Sequence, residues 1–447
     1  MRRISTLLVA SVALASPALA QDLTVKAPPQ AKPIAITGAT VHTVSGATIA
    51  NGYVIFDQGK ITAVGDAAAL PRLTADVELI AATGKHVYPG LIAAYSQIGL
   101  TEIGAVRASD DMSEVGSDGV MPEVRAAVAV NPDSTLIPVT RSNGVLAAGV
   151  FPVGGSIPGR ASVMLLDGWT WEQMCVKDAV GLVVNWPMSR TINAWWMQTS
   201  EAEQQTNIRR GFERIENTFA TAKSYAAARA ADPASPADLR WEAMRPVFAE
   251  GAAQSPVFVM AQDYDQITAA VAFCARTNLK CVIVGGRDAV ECAPLLKARD
   301  IAVVVIGTHV MPARDDAPFD APFTLPARLE AAGVRWCLAS GEETPHERNL
   351  PYNAARAVAY GLDHDAAIKA ITLSTAQILG VADALGSIEP GKSATLLLTD
   401  GTPLETTTRI EAAFVQGKRI DLSNKQTELN RKYREKYRQM GPGTTSK

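Results

Sequence analysis

Val257-Phe-Val-Met260 is a short apolar run leading into a helical stretch around Gln266–Arg276, and the unit recurs as Cys281-Val-Ile-Val284 before Ala289–Ala298. Ala302-Val-Val-Val-Ile306 and Arg335-Trp-Cys-Leu-Ala339 continue the series. A strand covered on both faces reads as a continuous apolar run, and strands alternating with helices predict a parallel sheet. That sheet could be open and doubly wound or closed as a (β/α)8 barrel, and periodicity alone does not choose between them. An open dinucleotide-binding sheet would carry a glycine fingerprint after its first strand, and none is present.

Outward from this stretch, the same rhythm spans about Pro89 to Leu385. It is interrupted from about 195 to 245 by polar, Ala-rich sequence such as Glu201-Ala-Glu-Gln-Gln-Thr-Asn-Ile-Arg-Arg210. These residues predict helices inserted on the barrel surface, broken at Asp232-Pro-Ala-Ser-Pro236. Short β-branched runs lie on either side of the middle. Ile34–Gly38, Ala39–Val44, Gly52–Asp57 and Lys60–Val64 precede it, and Ala394–Thr399, Ile410–Val415 and Arg419-Ile420 follow it. Their Gly-bearing turns argue antiparallel hairpins, and the flanking arrangement argues one sheet domain assembled from both ends of the chain. The run Lys425–Met440 predicts a solvated basic helix before a loose tail.

The N-terminus opens Met1-Arg2-Arg3, continues through a small and apolar run from Ile4 to Ala15, and closes Pro17-Ala-Leu-Ala20. This pattern predicts a secretory signal peptide with cleavage after Ala20, a mature chain from Gln21, and a periplasmic destination. No later run is long enough to span a bilayer. With 47% hydrophobic and 19% charged residues the chain is of ordinary globular composition. A formal net charge of -3 argues against general attraction to nucleic acid or anionic membranes. Cys175, Cys274, Cys281, Cys292 and Cys337 are odd in number and fit no zinc-ribbon spacing, so buried apolar thiols are expected over a disulfide.

Four segments then carry a family likeness: Ile36-Thr-Gly-Ala-Thr-Val-His42; Gly84-Lys85 with Pro89-Gly-Leu-Ile92; Thr372, Ala376 and Leu379-Gly380; and Gly386-Ser-Ile-Glu-Pro-Gly-Lys392. Together they resemble the amidohydrolase superfamily, in its imidazolonepropionase-like branch. The resemblance implies an α/β protein: a (β/α)8 TIM barrel at 89–385 beside a composite β-sandwich made from 21–88 and 386–422, with 423–447 as the basic helix and tail.

Working members of that family hold one or two metals at the C-terminal ends of the barrel strands. The implied ligands are a His pair after strand 1, a lysine on strand 4, single histidines on strands 5 and 6, and an aspartate on strand 8. Here the entrance motif reads Ala93, Tyr95 and Gln97, and the strand-5 place reads Met260. The strand-6 place falls on Gly285 or Gly286, and the strand-8 place near Ser340 or Gly341, with Glu342 and Glu343 the nearest acids. No lysine is assigned to strand 4. Neutral amides and protonated phenols are poor Zn²⁺ donors. The ancestral metal is therefore not expected, and Tyr95, Gln97, Met260, Gly286 and Gly341 become candidate ligand-pocket positions without a cofactor.

A rebuilt site could use His309, His346 and Glu342 or Glu343, and Zn²⁺ is expected only in that case. His42, His86 and His364 read as surface or satisfied structural residues. Asp110, Asp111 and Glu114, with Glu102 and Arg107 nearby, could form paired carboxylates but read first as a solvated acidic loop. Trp169, Trp171, Trp186, Trp195 and Trp196 could form an apolar lid or a subunit contact, or simply pack the insertion. The favoured expectation is an exported small-ligand-binding or non-catalytic subunit, as a homo-oligomer or with a catalytically complete relative. The alternative is a carbon–nitrogen bond hydrolase working through a rebuilt or metal-free site.

Overall fold

The computed structural model describes residues 22, 24–113, 119–193 and 195–441. The expected leader and Gln21, Glu114, and the tail beyond Gly441 lie outside those residues. The first strands are β1 (Ile34–Val41), β2 (Ile49–Asp57), β3 (Lys60–Asp66), β4 (Glu78–Ala81) and β5 (His86–Pro89). Gly38 does not end a strand as its sequence suggested. It takes φ +77° inside β1, beside register shifts around Ala39, which bends the strand without breaking it.

Eight further strands follow: β6 (Leu91–Ser96), β7 (Val145–Val150), β8 (Gly159–Leu165), β9 (Cys175–Asn185), β10 (Val257–Ala261), β11 (Cys281–Gly285), β12 (Ala302–Ile306) and β13 (Trp336–Ala339). They hydrogen-bond in sequence order from β6 to β13. The sheet is nearly closed: β13 lies beside β6, but the Ile92 N–H goes to the Ile371 carbonyl at 2.8 Å. The expectation of eight parallel strands needs correction at β8, which is antiparallel to both β7 and β9. The links on either side of β8 are too short for the crossover that parallel pairing requires, so this part of the wall is a meander.

The chain then returns to the first sheet through β14 (Leu396–Thr399), β15 (Ile410–Val415) and β16 (Lys418–Arg419). The strand order is β16-β15-β14-β5-β1-β2-β3, with β4 on the free part of β1, so both ends of the chain do build one sheet. That sheet curls on itself. Phe56 of β2 meets Phe414 of β15 edge-on at 5.1 Å, and Ile36, Val54 and Leu396 are buried in the same core. A buried ion cluster ties sheet to barrel: Asp167 accepts from Arg141 at 3.2 Å and lies 3.3 Å from Lys418.

The insertion is chiefly one helix, Glu201–Ala231, capped by the Ser200 hydroxyl on the Glu203 N–H and ended before Pro233. Ile215, Phe219 and Ala222 are its buried apolar face. The tryptophans do not gather into one group. Trp186 is buried against Phe212 and Phe273, Trp169 is exposed beside the curled sheet, and Trp195 is 96% exposed. All five thiols are free, and four of them are buried. No described helix is long and apolar enough to cross a membrane.

Candidate functional site

The direction of each barrel side chain follows from two outward anchors. The Trp336 indole donates to Glu330 on the outer helix Ala321–Ala332 at 2.8 Å, and the Cys281 thiol bonds Cys274 on the outer helix Tyr264–Thr277. Alternation along strands in register then turns Asn185, Phe258, Met260, Val284, Ile306 and Ala339 inward. Met260 thus faces the barrel mouth. Asn185 occupies the end of β9 at the same level, where no lysine could be assigned. Its amide donates to the Gly154 and Gly155 carbonyls at 3.3 and 2.8 Å, so it fastens a mouth loop.

Tyr95 and Gln97 are brought together, since the Gln97 side chain hydrogen-bonds the phenol. Burial raises the Tyr95 pKa, and the Gln97 bond only partly offsets it, so the hydroxyl stays protonated. Tyr95 lies 5.0 Å from Phe151, and Phe151 meets Phe258 edge-on at 5.2 Å. These rings cross the interior from β6 to β10, where the resemblance implied ligands from strands 1 and 5. Gln97 Nε2 is buried without a partner.

The two glycines of strand 6 require a correction. A Cβ on Gly286 would meet Val303, Ala289 and Ile283 behind the sheet, and one on Gly285 would strike the Gln262 amide at 2.5 Å. Neither position looks into the mouth. Gly341, at φ +67°, is where the loops after β12 and β13 touch, because a Cβ there would sit 2.9 Å from the Gly307 backbone.

Of the rebuilt trio, the structure assembles two members. His309 Nδ1 lies 3.0 Å from Glu342 Oε1, while His346 is exposed and apart from the pair. Burial raises the Glu342 carboxyl, yet hydrogen bonds from Asn349, His309 and Asn353 outweigh it and hold the group below its ordinary value. The buried Asn353 also accepts from the Thr308 N–H at 2.8 Å, so one amide locks the loops after β12 and β13 together. Glu343 is exposed. Among the described residues no three His, Cys, Asp or Glu side chains are grouped to hold a metal ion.

The acidic loop serves its own backbone. Asp110 accepts from the Met112 N–H at 3.1 Å, Glu102 from the Thr135 hydroxyl at 3.0 Å, and Arg107 donates to the Asp110 carbonyl; Asp111 is exposed. His42, His86 and His364 are satisfied structural groups: His42 Nε2 pairs with His86 Nδ1 at 3.0 Å and His364 Nε2 with Thr402 at 2.9 Å. Burial, aided by His86, lowers the His42 pKa to about 4.

Glu347, which no sequence pattern singled out, is the most perturbed carboxyl near the mouth. Burial pushes it up to about 7 against hydrogen bonds from Ser96 and Ser340, and repulsion from Glu342 adds to the rise. Its Oε1 has no partner. Ser96 ends β6 and Ser340 follows β13, so the acid stitches the seam where the barrel fails to close fully.

The amidohydrolase family matches residues 257–421, and an amidohydrolase from Thermotoga maritima MSB8 superposes with a TM-score of 0.75 at 25% identity, covering 87% of this chain and 99% of that one. Over residues 257–421 the chain matches the amidohydrolase family, and along most of its length it shares an amidohydrolase's fold. The amidohydrolase tasK of Hapsidospora irregularis is 22% identical over 388 residues, or 79% of this chain, and this chain spans 38% of that relative's length. A Xaa-Pro dipeptidase with methionine bound in its active site shares the fold at a TM-score of 0.52 and 14% identity, over 87% of this chain and all of that one. Within that fold, the places at the ends of strands 1, 4 and 5 offer a protonated phenol, two amides and a thioether. That donor set does not fit a hydrolytic zinc or a dinuclear centre, which call for imidazole and carboxylate.

Proposed function

We propose that this chain is an exported, imidazolonepropionase-like member of the superfamily whose barrel binds a small ligand and does not hydrolyse it through a metal. The observation that carries this reading is the Tyr95–Phe151–Phe258 ladder, which fills the interior between strands 1 and 5 with aromatic carbon. Beside it Gln97, Asn185 and Met260 are neutral, and among the described residues the mouth's carboxylates Glu342 and Glu347 belong to no group of three metal-ligating side chains. Such a lining can hydrogen-bond and pack a ligand, but it offers no such group of ligands to hold a metal that ionises a water. In this reading the leader delivers the mature chain to the periplasm, the sheet domain acts as a composite sandwich beside the barrel, and a homo-oligomer or a catalytically complete relative supplies any chemistry.

Metal content tests it directly. Mature protein purified without chelator should carry far less than one zinc, iron or manganese per chain. Stoichiometric metal that is lost on changing His309 or Glu342 would overturn the reading.

The His309–Glu342 contact favours a second reading, a metal-free hydrolase of carbon–nitrogen bonds. A carboxylate holding Nδ1 leaves Nε2 free to accept a proton. Nε2 would take a proton from water, the oxygen would bond the carbonyl carbon, and the proton would pass to the departing amine. Turnover of dipeptides or cyclic amides that survives metal removal and disappears in Glu342→Gln would establish it over the first.

A further inference from the structure

Behind the ends of β11 and β12 lies a cavity of about 360 Å³, within the range of small-molecule pockets. It lies toward the outer side of the barrel wall, where Val305 alternates with the inward Val304, and Ile306 and Gly307 at the end of β12 border it. The helix Ala321–Ala332 contributes Leu325 and Arg328, and the loop after β12 contributes Met311, Arg314 and Pro318. Asp288, 6% exposed, accepts from Arg314 at 2.9 Å and from the Tyr264 N–H at 3.2 Å. Arg287 approaches the same carboxylate at 3.5 Å, and Arg328 is bound by Glu291 at 3.0 Å.

We infer that this cavity, a second site apart from the barrel interior of the reading above, binds a small carboxylate with an apolar body. Three guanidiniums, Arg287, Arg314 and Arg328, line the cavity beside Asp288 and Glu291, and Arg314 also lies 3.6 Å from Asp316. Each guanidinium has five N–H donors, more than its present partners use, and its planar fork suits a second carboxylate. Asp288 holds Arg314 in place before the ligand arrives. Gly285 makes room for the Gln262 amide, which forms no side-chain hydrogen bond among the described residues and is a further donor for the ligand. The apolar partner is on the roof, where Val310 and Met311 are 42% and 83% exposed. A ligand with an apolar body would cover them, whereas a fully polar anion would leave them in water.

Titration calorimetry on the mature protein tests this with phenylbutyrate, phenylbutylamine and phenylbutanol, which share one apolar body and differ in head group. Phenylbutyrate should saturate one site per chain, and Arg314→Ala and Met311→Asp, both at exposed positions, should each weaken it at least about tenfold. Lys432→Ala, on the exposed helix Lys425–Met440, should leave it unchanged. Equal binding of the amine or the alcohol, no loss in Arg314→Ala, or loss in Lys432→Ala would overturn the assignment. Circular dichroism of each variant shows that the fold is kept. Metal content and hydrolysis, measured on the same preparation, report on the non-hydrolytic reading independently of these titrations.

Discussion

Replacing Glu347 with glutamine removes the one buried carboxyl near the mouth that titrates around neutrality, and the consequence can be worked out from its surroundings. Its folded pKa is about 7, against an ordinary value of 4.5. A raised acid contributes stability that is fully present below the unfolded pKa and is lost as pH climbs through the folded one, because the native state holds the extra proton. Between about pH 5 and about pH 8 the wild-type chain should therefore lose about 2.5 kcal/mol from this group alone. Glu347→Gln keeps the shape and the hydrogen bonds to Ser96 and Ser340 but cannot ionise. Urea unfolding of both proteins, followed by tryptophan fluorescence, should give a gap that favours the variant at about pH 8 and nearly closes at about pH 5. An equal gap at both values would mean that the carboxyl is ionised in the native state, and the dry seam between β6 and β13 would have to be abandoned. Loss of stability in the variant at the higher pH would show that the charge is compensated.

Other outcomes follow from the same geometry. Asn353→Ala strands the Thr308 N–H and one lone pair of Glu342 in the interior, and should cost about 2–4 kcal/mol in urea unfolding. Asp167→Ala leaves Arg141, 1% exposed, as a buried unpaired charge at the junction of sheet and barrel; a loss of about 3–5 kcal/mol is expected, with limited proteolysis reporting separation of the two parts. The double change Tyr95→His with Gln97→His should yield neither stoichiometric zinc nor hydrolysis, since Asn185 and Met260 still supply no ligand. Full activity in that variant, measured on amide substrates with added zinc, would show that the strand-5 and strand-8 places are misjudged.

The apolar runs from Val257 to Ala339 were readable as barrel strands because each is buried on both faces and a helix precedes the next run. The antiparallel β8 was not, since Arg160-Ala-Ser-Val-Met-Leu165 is as apolar as its parallel neighbours and only its short links reveal its direction. The missing donors at Tyr95, Gln97 and Met260 followed from residue identity alone. Gly286 did not, because a glycine has no side chain to reveal its direction, and the virtual Cβ proves to lie behind the sheet. Glu347 was hidden in the polar run Glu342-Glu-Thr-Pro-His-Glu-Arg-Asn349, where composition suggests solvent on every side. Its burial is a tertiary event: the turn Thr344–Asn349 folds across the ends of β6 and β13.

The loops after β12 and β13 are the part of the mouth that has retained charge, and they are joined by one buried amide. Asn353 binds Thr308 on one side and Glu342 on the other, and Glu342 in turn holds His309. His309 is followed directly by Val310 and Met311, the exposed roof of the outer cavity. A ligand that pulls the roof down must therefore move a segment whose first residues are pinned by Asn353. If the pin is rigid, Asn353→Asp, with its added charge beside Glu342, should change phenylbutyrate affinity along with stability. If the roof moves alone, affinity should stay constant while stability falls. The first outcome would join the mouth and the cavity into one functional unit, and the second would leave the His309–Glu342 pair as a purely structural clasp.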